Sequence, residues 1–295
     1  MRRPVIDSHF HIWRQDDLPW LRGPMVPRIF GPYEDIRRDY LIGEFQADLA
    51  GAGVGQAVYV QANWPKELFE DEVAWVQQTA NESGWPHAIV AYADMTADDV
   101  RPQLDRLMRY PLVRGVRMQL HWHERSEFRF AEAPDLILDA RVRRNLARLK
   151  DYGLSFDLQL FPAQMEAAAG VVGDNPETMF VLVHAGMLAD RSDRDAAAWT
   201  AGLTKLAALP NVYAKLSGLG TFIHRNDGDL IAYIVATLVG LFGSRRLMFG
   251  SNFPIEKIWT SYADLIGAHR RAVAQFGGAA EDDVFHGVAA RVYRL

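Results

Sequence analysis

Short apolar runs recur along the chain at regular intervals: 5–12 (VIDSHFHI), 55–62 (GQAVYVQA), 87–94 (HAIVAYAD), 112–120 (LVRGVRMQL), 155–161 (SFDLQLF), 179–185 (MFVLVHA), 211–217 (NVYAKLS) and 246–252 (RLMFGSN). Several are nearly continuous in apolar residues, as in parallel strands covered on both faces. Between them the spacing of apolar positions predicts helices over 66–83, 98–109, 136–151, 164–173, 195–208, 228–242 and 262–276. Eight strands alternating with helices predict an α/β fold, a (β/α)8 TIM barrel rather than an open sheet. No polar linker or low-complexity stretch divides the pattern, so residues 1–295 read as a single domain. The C-terminal segment 281–295 is expected to hold a helix, about 281–291, that caps the barrel.

Segment 13–50, between the first two strands, breaks the rhythm. It holds Trp13, Pro19, Trp20, Pro24, Pro27, Pro32 and Tyr33 and reads as an extended loop followed by a short helix over 44–51. Long loops of this kind are functional covers or disordered. The aromatic residues argue against disorder, which leaves a lid or a wall over the barrel mouth, or packing against a neighbouring subunit in a homo-oligomer.

The formal net charge of −5 and the absence of a basic run argue against a nucleic-acid partner. No apolar run approaches a bilayer span, so no membrane partner is expected. Met1-Arg2-Arg3-Pro4 is charged without an apolar stretch behind it, which argues against a signal peptide and makes the cytoplasm the default location. With no cysteine, disulfides, thiolate metal sites and thiol nucleophiles are excluded. A small-molecule substrate is the expected partner.

In a barrel of this type the active site lies at the C-terminal ends of the strands, and the polar residues there can be read off. The first strand carries His9 and His11, two residues apart and so on one face. The second ends in Gln61, Asn63 and Trp64, the third in Asp94, and the fourth in Arg117 and Gln119, with His121 and His123 just beyond. The fifth offers Asp157 and Gln159, the sixth His184, the seventh Lys215 and Ser217, and the eighth Asn252. One buried polar residue is commonly a satisfied core group, whereas a polar group on nearly every strand points to a shared cavity. Three imidazoles, His9, His11 and His184, can ligate zinc or polarise a carbonyl oxygen. Arg117 suits an anionic or polyhydroxylated ligand, or an internal ion pair with Asp94 or Asp157. Lys215 could do the same work or anchor the barrel floor, and His121 and His123 could contact substrate or lie on an exposed loop. Trp13, Trp20, Trp64, Phe161, Phe222 and Trp259 suggest a partly apolar pocket.

The ordered set His-Phe-His at 9–11, Gly115-Val116-Arg117, Val183-His184-Ala185-Gly186, Asn211 to Gly218 and Phe249-Gly250-Ser251-Asn252-Phe253-Pro254 resembles the amidohydrolase-2 branch of the amidohydrolase superfamily. Within it, the chain is most similar to lactonases of sugar lactones and of pyrone dicarboxylate. The resemblance covers essentially the whole chain and implies a barrel that hydrolyses a cyclic ester. It places His9, His11 and His184 around the lactone carbonyl, with Asn252 among the catalytic positions. Trp13, Gln61, Arg117, Gln159 and Lys215 are the expected substrate contacts. In relatives the residue at position 252 is an aspartate acting as base, and here it is Asn252, followed by Phe253 in place of a tryptophan. A carboxamide takes no proton at neutral pH, so His184, Glu256 or a metal-bound water must replace it. One divalent cation such as zinc, held by His9, His11 and His184, and a metal-independent reaction are both compatible with the residues. Two other readings stand beside the lactonase: a metal-dependent decarboxylase of the same superfamily, and a catalytically silent barrel that binds a carboxylate.

Overall fold

The computed structural model of the chain describes residues 3–295, so Met1 and Arg2 of the charged N-terminal segment lie outside the described residues. Its eight strands are β1 (Val5–Phe10), β2 (Val54–Val60), β3 (Ala88–Tyr92), β4 (Val113–Arg117), β5 (Ser155–Leu158), β6 (Phe180–Leu182), β7 (Val212–Leu216) and β8 (Leu247–Phe249). They follow one another in sequence order in one sheet, every paired neighbour parallel. Crossovers of this kind require helices on the outer face. The apolar face of each, such as Leu203 and Leu206 of helix Asp193–Ala207, is buried in a core shared with Phe156, Phe180 and Leu216. This is the (β/α)8 barrel that the alternation of apolar runs predicts.

Beyond the last ladder bonds the chain closes the barrel through its loops. The Asn252 backbone N–H donates to the His9 carbonyl (2.7 Å), and the His11 N–H donates to the Phe253 carbonyl (2.8 Å). Ser8 Oγ donates to the Phe249 carbonyl (2.6 Å). Asp7 Oδ1 accepts from the backbone N–H groups of His9 (3.1 Å) and Ser251 (2.8 Å), while Tyr262 donates to Oδ2 (3.0 Å). Burial pushes this carboxyl up to about 6. Gly250 permits the approach of the two segments, because a Cβ there would lie 2.7 Å from His9 Cβ.

A second apolar cluster fills the barrel interior: Ile6, Val58, Val60, Val90, Val181 and Met248 pack against Val288, Val292 and Tyr293. The C-terminal segment thus plugs the barrel, as a cap would. It is not one helix over 281–291 but Gly278–Asp282, a π turn Asp283–Gly287 and helix Val288–Tyr293. Fully burying one such Val or Ile stabilises by roughly 1.5–3 kcal/mol.

Several sequence expectations shift, and all eight strands end before the expected residue. The helix of segment 13–50 lies at Ile42–Asp48, and the 136–151 helix divides into Ala140–Leu146 and Leu149–Tyr152. β6 stops at Leu182 rather than 185, because His184, Ala185, Gly186 and Met187 all adopt positive φ. Among the described residues no helix is long and apolar enough to cross a membrane.

Candidate active site

A cavity of about 590 Å³ opens at the C-terminal ends of the strands. Seven of the expected site residues line it: His11, Trp13, Gln61, Arg117, Gln159, His184 and Asn252. His9 is fully buried beside them, its ring centroid 5.1 Å from that of His11 and 4.8 Å from that of His184. Three imidazoles from β1 and the turn after β6 therefore meet at one place, although 173 positions (184 − 11) separate the nearest two in sequence.

Each ring is positioned differently. His11 Nδ1 lies 2.7 Å from the Val60 carbonyl oxygen, and the Asn252 carboxamide bonds the same ring. His184 Nδ1 lies 2.9 Å from Ser217 Oγ. That ring rides on the left-handed turn after β6, and Gly218 makes room for it, since a Cβ there would fall 2.5 Å from His184 Nδ1. Neither ring nitrogen of His9 has a partner. Burial lowers the basicity of all three, with the charges of Arg117 and Lys215 adding to it; His11 falls to about 3. All three are neutral at pH 7.

Asn252 and Asn63 line the same cavity with φ of 57° and 64°. Asparagine tolerates this left-handed backbone better than most residues. The Asn63 N–H donates to Gln61 Oε1 (2.7 Å), which turns the Gln61 Nε2 group loose without a partner.

Arg117 is 2 % exposed. Its guanidinium donates to the Gln61 carbonyl oxygen (2.6 Å) and to Gln159 Oε1 (3.4 Å), and Nε has no partner. The ion pair considered from the sequence does not form. Asp94 is turned onto Thr96, and Asp157 is taken by Lys215 at 2.6 Å. Burial brings Arg117 down to about 10, so it remains a cation facing the cavity.

Lys215 is placed elsewhere than a substrate contact would be. It is fully buried, pairs with Asp157 and lies 5.3 Å from the Tyr293 ring, away from the cavity lining. It anchors the barrel interior, the second of the two roles open to it. Glu256 does not reach the cavity either: it accepts from Thr221 Oγ1 (3.2 Å) and Trp259 Nε1 (2.9 Å), and burial raises it to about 8. Of the aromatic candidates, Trp13, Trp20 and Phe222 line the cavity, whereas Trp64, Phe161 and Trp259 do not. His121 is a cavity residue that the sequence left undecided, buried at 6 % exposure; its neighbour His123 packs on Phe128 and Phe161 instead. The segment Val26–Phe30 forms the outer wall, and the Trp13 and Tyr40 backbones pair at its base.

The three histidines do not suit a divalent cation as arranged. Among the described residues no three His, Cys, Asp or Glu side chains are grouped to hold a metal ion. No carboxylate joins the three rings, and Arg117, paired with no carboxylate, adds positive charge that opposes a divalent cation.

Comparison with known proteins agrees with the architecture. The sequence model described as Amidohydrolase matches residues 6–295. The y4mH protein of Sinorhizobium fredii is 33% identical over 99% of this chain and 98% of its own length. An L-fucono-1,5-lactonase of Burkholderia multivorans is 30% identical, over 98% of this chain and 96% of its own. The crystal structure of an amidohydrolase from Burkholderia multivorans with bound zinc superposes with a TM-score of 0.82 at 29% identity, covering 99% of each chain.

Proposed function

This chain belongs to the amidohydrolase family and is a hydrolase, and from that premise we propose that it opens a small lactone by attack of water on the ring ester. The observation that carries the reading is the meeting of His9, His11 and His184 beside an unpaired Arg117 at the barrel mouth. The relationship to a protein named L-fucono-1,5-lactonase supports an ester in a ring over an open one.

The chemistry follows from hydrogen-bonding capacity. A carbonyl accepts only, so the Val60 contact requires His11 Nδ1 to carry hydrogen and leaves a lone pair on Nε2. Ser217 both donates and accepts, so His184 is free to change tautomer. His184 therefore serves as base: Nε2 takes the proton of the attacking water while Nδ1–H donates to Ser217. The unpartnered N–H of His9 is available to the oxyanion that develops on the carbonyl. Arg117, with Gln61 and Gln159, holds the remainder of the substrate, and segment 13–50 acts as a lid that excludes water.

The test is a panel of γ- and δ-lactones of sugar acids and of carboxylated pyrones, followed by acid release with a pH indicator. Turnover that is lost in His184→Asn supports the reading. An enzyme that opens no member of the panel contradicts it.

A further inference from the structure

β4 ends its ladder at Arg117, but its alternation continues into the loop. Arg117, Gln119 and His121 all line the cavity, while the intervening Met118 and Leu120 are buried at 6 % and 0 % exposure. In an eight-stranded barrel ordered β1 to β8, β4 stands opposite β8, so this strip faces Asn252 across the mouth. Four buried polar atoms on this side of the cavity have no partner: Arg117 Nε, Gln119 Oε1, His121 Nδ1 and, from the end of β2, Gln61 Nε2. Unpaired buried polar groups are uncommon in native proteins, and a cluster of them in a cavity marks a place prepared for a ligand.

The kinds of atom specify what that ligand offers. Arg117 Nε and Gln61 Nε2 donate only, and Gln119 Oε1 accepts only. A carboxylate would satisfy the donors and leave Gln119 bare, because it has no hydrogen to give. A hydroxyl group accepts from the guanidinium and donates to the carboxamide. The His121 ring is held in place by Phe130 (5.6 Å) and Phe161 (6.0 Å), and as a neutral imidazole it can pair with a second hydroxyl. We propose that Gln119 and His121, with Arg117 and Gln61, form a subsite that reads the ring hydroxyl groups of the substrate. It determines specificity for the part of the substrate that lies along β4. The proposal rests on the lactonase reading and adds to it two specificity residues.

The test compares a polyhydroxylated δ-lactone with unsubstituted δ-valerolactone, in the wild type and in two shape-conserving variants, Gln119→Leu and His121→Phe. A site built to bond a hydroxyl rejects the analogue lacking it by about a hundredfold or more in kcat/KM. Each variant is expected to shrink that preference by about tenfold, a ratio that a merely structural role would leave alone. Binding is measured in parallel, by calorimetry, with a polyhydroxylated δ-lactam and with δ-valerolactam, which resemble the two rings. If lactones are opened and both variants keep the wild-type preference, the subsite is wrong and hydrolysis stands. If no lactone is opened but the hydroxylated lactam binds at least tenfold tighter in a Gln119- or His121-dependent way, the subsite stands and the hydrolytic reading falls. Equal binding of the two lactams by the wild type, or binding of neither, overturns the subsite. If one variant fails to fold, the other decides.

Discussion

The Nδ1 atom of His11 lies 2.7 Å from the carbonyl oxygen of Val60, and the Asn252 carboxamide bonds the same ring in the sense that favours its protonated form. Burial outweighs that bond and keeps the ring neutral. A carboxylate at position 252 would add a full negative charge to the same contact. Asn252→Asp is therefore expected to draw a proton onto His11, raising it from about 3 toward the ordinary histidine range. The pH profile of kcat/KM should acquire a titration step between pH 5 and 8 that the wild type lacks. Identical profiles for the two proteins would contradict the assignment.

Glu256 keeps its proton to about 8 when folded, against an ordinary value of 4.5. Its folded value is raised, so its stabilising contribution is complete below pH 4.5 and is lost as pH rises toward 8. The loss is about 1.4 kcal/mol per pH unit across that window. Glu256→Gln preserves the partners of the neutral acid and removes the titration. Its Tm relative to the wild type should rise between pH 5 and pH 8, read by thermal scans at both values. A relative Tm that falls over this interval refutes the protonated form.

The buried guanidinium of Arg117 has no carboxylate beside it. Removing an unpaired buried cation costs the fold little and can stabilise it by about 1 kcal/mol. Arg117→Met should therefore keep or raise Tm while lowering kcat/KM at least tenfold, mainly through KM. A large Tm loss with unchanged KM would assign Arg117 to the core instead of to the ligand.

Gly218 has φ of +62°, and a Cβ would fall 2.5 Å from His184 Nδ1. Gly218→Ala is expected to cost about 1–3 kcal/mol of stability and to displace the imidazole. Its kcat should fall at least tenfold in protein that remains folded. Wild-type kcat in this variant would mean that His184 needs no fixed position.

No carboxylate joins the three imidazoles, and the Arg117 cation beside them opposes a divalent ion. Prolonged dialysis against a chelator should leave kcat/KM within about twofold of the untreated protein. Loss of activity that zinc restores would place a metal in the site.

The barrel was legible because β-strands buried on both faces leave unbroken apolar runs, and those of β2, β6 and β8 stand out in the sequence. Six of the seven expected cavity residues were legible for a related reason, since the strand ends name them, while Trp13 belongs to the long segment after β1. Three placements were not. Lys215 and Asp157 sit at corresponding depths on different strands, and only their 2.6 Å contact shows that each neutralises the other. His184 leaves β6 through a left-handed turn that no local propensity announces outside Gly186. His121 had a readable signal in the alternation Arg117-Met118-Gln119-Leu120-His121, obscured by the adjoining polar residues His123, Glu124 and Arg125.

The hydrogen bonds His9 O to Asn252 N and Phe253 O to His11 N fasten the beginning of the polypeptide to its last strand. Residues 9 and 252 are 243 positions apart (252 − 9), so the reactive cluster does not exist until the final turn of the barrel docks on the first. Hydrolytic activity thereby becomes a reporter of completed folding. During synthesis or refolding it should emerge last, after the intermediate strands have acquired their protection from hydrogen exchange.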